Sequence, residues 1–80
     1  MENKEYDTLL RLKNLIDNNK ATFEQKKEYI SILYRNGNIT QEQYNKFLAN
    51  QNSDDIVNAA LTIGGFILAV WLISKLAKSD

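Results

Sequence analysis

The most specific chemistry these residues offer is contact between helices. Asn58, Thr62, Gly65 and Ala69 recur at spacings of four, three and four, which puts them on one side of a helix. Small residues in that arrangement let two backbones approach closely in lipid, and the Asn58 amide can hydrogen-bond across such a contact. Ala60 and Gly64 form a second pair of small residues four apart. The other candidates are weaker. Lys26, Lys27, Arg35 and Lys46 resemble a basic nucleic-acid face, but Glu24, Glu28 and Glu42 interrupt it, as on an ordinary solvated helix surface. Asp54 and Asp55 are adjacent acids, and neighbours on a helix do not face each other, so they read as helix-start charges complementing the macrodipole. Asn38-Ile39-Thr40 has the form of a glycosylation acceptor but reads more simply as a turn followed by an N-cap. Gly64-Gly65 lies among apolar residues and makes no phosphate loop.

Composition narrows the chemistry further. The 80 residues contain no Cys and no His, which excludes disulfides, zinc fingers and imidazole-based catalysis. Ten basic residues balance ten acidic ones, so a grip on phosphate backbones is not expected. No catalytic, cofactor-binding or metal-binding residue is assigned, and an enzyme is the least expected class.

Charge is unevenly distributed along the chain. Residues 1–55 carry eight basic and nine acidic side chains. The next nineteen, IVNAALTIGGFILAVWLIS from Ile56 to Ser74, carry none. As a helix this run spans about 28 Å, close to the hydrocarbon thickness of a bilayer. Between Ala59 and Ile73 only Thr62 is polar, so no solvent-facing stripe exists there. Trp71 lies where an indole suits a membrane interface, and Lys75 and Lys78 are placed to snorkel to headgroups. Ser53 is the expected N-cap of this helix. The polar start MENKEYDT has no apolar stretch, so a cleavable signal is not expected.

The polar half repeats with a period of 18 residues. Leu12 falls on Ile30, Leu15 on Leu33, Asn18 on Asn36, Thr22 on Thr40 and Gln25 on Gln43. Each Thr with the Gln three residues on forms a capping box, preceded by apolar Ala21 or Ile39 at the staple position. Gly37 supplies a left-handed residue after one helix, and Asn19 a weaker one after the other. These signals predict helices at 5–18, 23–35 and 41–50. Their apolar stripes are Tyr6, Leu9, Leu12, Leu15 and Ile16, then Phe23, Tyr29, Ile30, Leu33 and Tyr34, then Tyr44, Phe47 and Leu48. Glu42 and Lys46 make a favourable pair one turn apart.

The run ISILYRNGNITQEQYNKFLAN, residues 30–50, resembles the short C-terminal domain (SHOCT) family, a two-helix hairpin. The residues that carry the resemblance are Ile30, Leu33, Gly37, Ile39, Thr40, Glu42, Tyr44 and Leu48. The run before it, LKNLIDNNKATFEQKKEYI, is similar to a second copy with Asn19 for the turn glycine and Ala21 for the isoleucine. Together the copies span about half the chain. The family hairpin usually ends its chain, whereas here an apolar helix follows. The resemblance implies an oligomerisation or interaction module of bacterial membrane-associated proteins, with no catalytic residue.

The expected architecture is all-α: three short amphipathic helices, forming two overlapping hairpins, followed by one long transmembrane helix. The expected units are an interaction module at 1–50, a polar linker at 51–55, the membrane helix at 56–76 and a short tail at 77–80. Leu33, Tyr34, Tyr44 and Phe47 are the expected partner or self-association face. The expected function is a single-pass membrane-anchored interaction or oligomerisation protein with its N-terminal domain in the cytoplasm. Its expected partners are the lipid bilayer and a protein or a second copy. The alternatives are a holin-like or toxin-like permeabilising protein, of phage for instance, and a soluble helical regulator with residues 56–73 as its core helix.

Overall fold

The computed structural model describes residues 2–50 and 54–77, which form four α-helices and no strand. They are α1 (Asn3–Asp17), α2 (Phe23–Arg35), α3 (Gln41–Ala49) and α4 (Asp54–Ala77). Local chemistry sets the ends of the short helices. At the start of α2, the Thr22 hydroxyl accepts the Gln25 N–H at 3.2 Å, and the Gln25 side chain accepts the Thr22 N–H at 2.8 Å. At the start of α3, Thr40 and Gln43 repeat the exchange at 3.1 and 2.8 Å. Each box satisfies N–H groups that the first helical turn leaves without partners.

The helix ends repeat as well. Asn19 and Gly37 both take positive φ, 56° and 74°. After α1, the Lys20 N–H donates to the Leu15 carbonyl at 2.8 Å and the Asn19 N–H to Ile16 at 3.0 Å. After α2, Asn38 donates to Leu33 at 2.9 Å and Gly37 to Tyr34 at 3.0 Å. This is the left-handed C-terminal cap that closes a helix by giving its last carbonyls donors. The Asn18 and Asn36 amides each donate to the carbonyl four residues back, both at 2.7 Å. The 18-residue sequence period is therefore a period of caps: stop, left-handed residue, Thr-Gln start.

Consecutive short helices turn back on one another, and the Arg35–Glu5 ion pair at 2.9 Å ties the end of α2 to the start of α1. Their stripes converge on a core of Leu9, Leu12, Ile16, Tyr29, Ile30, Ile32, Leu33, Ile39 and Phe47. Ala60, Leu68 and Trp71 of α4 belong to the same core. The composition break at 51–55 is thus not a break in packing. Helix α4 lies along α1 and α3, with its axis reversed relative to α1. The Ser53 cap lies outside the described residues.

Candidate functional site

Helix α4 is the one described helix long and apolar enough to cross a membrane, over Asp55–Ala77. Only 22 % of its most apolar window is buried. The structure divides it into two faces.

The docked face is Ala60, Gly64, Leu68 and Trp71, at spacings of four, four and three. Its centre is built around Tyr29 of α2. The Tyr29 ring is fully buried, and its hydroxyl donates to the Ala60 carbonyl at 3.1 Å, with the Leu61 carbonyl next at 3.5 Å. That hydroxyl sits where Gly64 has no side chain; a Cβ there would overlap it. Burial, and then the negative charge of Asp17, hold the Tyr29 phenol well above the usual tyrosine range. Towards the other end, Trp71 stacks on Tyr6 of α1 with ring centroids 4.8 Å apart and planes 6° from parallel. The indole N–H donates to Asn3 Oδ1 at 3.3 Å, and Lys75 Nζ lies 4.8 Å from the ring centroid. An indole with an aromatic neighbour and a partner for its N–H is well placed.

The open face is apolar too. Phe66, Ile73 and Leu76 are 73 %, 67 % and 75 % exposed, and Val70 and Leu72 are exposed beside them. Asn58, Thr62 and Ala69 lie on this open side. Gly65 lies at its edge, half-buried beside the Lys13 side chain. The Thr62 hydroxyl donates to the Asn58 carbonyl within the helix, at 2.8 Å. The second small pair, Ala60 and Gly64, points the other way and is filled by Tyr29 of the same chain.

The expected partner face changes in extent. Leu33 and Phe47 are core residues, 0 % and 2 % exposed, because α1 and α4 cover the stripe they belong to. Tyr34 is exposed and Tyr44 half-buried against the core, the two rings stacked with centroids 4.9 Å apart. Trp71, expected as an interfacial anchor, is buried against α1. Lys78 lies outside the described residues. Tyr29 and Tyr6 were legible only as members of apolar stripes, and no sequence signal separates Tyr29 from Tyr34 of the same stripe; only burial obliges the Tyr29 hydroxyl to find an acceptor. An apolar crevice of about 250 Å³ runs between α3 and α4, lined by Ile30, Ile39, Phe47, Ile56, Ala60 and Ile63, with Lys46 at its rim. Among the described residues no three His, Cys, Asp or Glu come together as a metal site. In comparisons with protein-family models, curated proteins and solved structures, none matches this chain.

Proposed function

We propose that this is a small single-pass membrane protein, anchored by α4, whose helices α1 to α3 form a module for binding a protein partner or a second copy. One observation carries the reading. Helix α4 is uncharged from Ile56 to Ser74 and leaves Phe66, Val70 and Ile73 exposed. An exposed apolar face of that length marks a contact surface for lipid or another protein. The resemblance of residues 30–50 to SHOCT hairpins supports an interaction role for the module, and the partly exposed Tyr34–Tyr44 stack is its surface feature best suited to a partner. Tethering would act through effective concentration, making weak contacts productive on a surface. The make-up of the module, that of an ordinary capped helical domain, supports a cytoplasmic side for it.

A second reading has its own support. Four positions of α4 are covered by α1 to α3, as in the core helix of a soluble bundle. Membrane fractionation of the full chain separates the two. The anchored protein stays in the membrane pellet through an alkaline carbonate wash, and protease added outside spheroplasts leaves its N-terminal half intact. Recovery as a stable soluble monomer overturns the proposal.

A further inference from the structure

We infer that α1 to α3 act as a reversible cover for α4, with the Tyr29 hydroxyl seated over Gly64 as the catch, so that docking and membrane spanning exclude each other. The inference rests on the membrane reading above and adds its regulation.

The exclusion follows from the extent of the docked face. Its contacts run from Ala60 to Trp71, a rise of about 16 Å along the helix and roughly half the hydrocarbon thickness. Helix α1 lies over that stretch carrying Glu5, Asp7, Arg11, Lys13 and Asp17. Groups of this kind are not carried into hydrocarbon alongside an anchor. With the cover docked, the middle of α4 cannot enter a bilayer.

The chemistry of the contact makes release feasible. Between Ile56 and Ser74 the docked face offers α1 and α2 only apolar side chains, two backbone carbonyls and the Trp71 indole. The carbonyls of Ala60 and Leu61 lie within the helix, whose own hydrogen bonds survive when Tyr29 leaves. The indole N–H lies near the end of the span, where the membrane interface gives it partners. Lipid therefore replaces the cover without leaving a polar group of the docked face unsatisfied. The loss falls on α2, where the buried Tyr29 gives up its acceptor. That makes the seat at Gly64 the point at which the docked form is held.

Two adjacent glycines give the test its control. A methyl at Gly64 meets the Tyr29 hydroxyl, whereas a methyl at Gly65 lies 3.1 Å from the flexible Lys13 Cε, which can move aside. Alanine raises helix propensity at both sites, so neither change weakens α4 itself. Trp71 is the sole tryptophan and reports on entry into lipid. The full chain is titrated with phosphatidylcholine vesicles carrying brominated acyl chains, and quenching of Trp71 is followed. Gly64→Ala should need about tenfold less lipid for half-quenching than the parent, as expected for overpacking a docked contact. Tyr29→Phe keeps the ring and removes one hydrogen bond, and should need about fivefold less. Gly65→Ala should stay within about twofold. Equal lipid requirements for the parent, Gly64→Ala and Tyr29→Phe overturn the cover while leaving the membrane reading intact. No quenching of any variant at any lipid level overturns the membrane reading, and the cover with it.

Discussion

Tyr29 is the residue on which the packing of α4 turns. Its hydroxyl is buried against the Ala60 carbonyl, and ionisation would set a negative charge beside carbonyl oxygens and near Asp17. The folded phenol therefore titrates above its unfolded value. A group raised in this way contributes stability that is fully present below the unfolded pKa, about pH 10, and is lost as pH climbs through the folded value. The lipid-free protein should thus show a denaturant midpoint that falls above about pH 10, and Tyr29→Phe should flatten that fall. Parallel alkaline slopes for parent and variant would show that the hydroxyl is not held as described. The sequence showed Tyr29 as one member of an apolar stripe and Gly64 as one of several small residues. It did not pair them, because the two lie 35 positions apart and meet only through tertiary packing.

At the scale of elements, nearly everything about α1 to α3 was legible. The end of α1, both ends of α2 and the start of α3 are set by Thr-Gln boxes and left-handed caps, and local hydrogen bonding needs no knowledge of the rest of the chain. Even Asn19, the weaker capping residue, takes the same positive φ as Gly37. Each box should therefore be separable from the fold around it. Thr40→Ala removes the acceptor for the Gln43 N–H at an exposed position and should cost about 1 kcal/mol in urea unfolding, with the midpoint shifted and the slope unchanged. A change within error would mean that the α3 start is held by Ile39 and its neighbours instead. Helix α4 was legible in length and polarity but not in rotation. A helix apolar all round carries no periodic signal for the side that docks. The same blindness placed Leu33 and Phe47 on a partner face: an apolar stripe looks alike whether its own chain covers it or another does.

Taken whole, the molecule is 44 Å long and 25 by 19 Å across, and α4, about 36 Å from end to end, runs through most of that length. One side of α4 serves as core and the other as surface, yet both are apolar, and this double character is what a change of solvent would exploit. In the proposed spanning state lipid would meet both sides; in the docked form only one side is covered. Phe66 and Leu68 probe the two states separately. They lie two residues apart near the middle of the uncharged run, one 73 % exposed and the other 3 %. Lysine at either position should cost about 3 kcal/mol of insertion and abolish carbonate-resistant retention in the membrane. In lipid-free solution the two should diverge. Leu68→Lys buries an unpaired charge and should collapse the docked fold, whereas Phe66→Lys should leave urea unfolding within about 0.5 kcal/mol of the parent. If Phe66→Lys stays in the membrane pellet as firmly as the parent, the open face of α4 is not in lipid, and its apolar surface must be covered by protein instead.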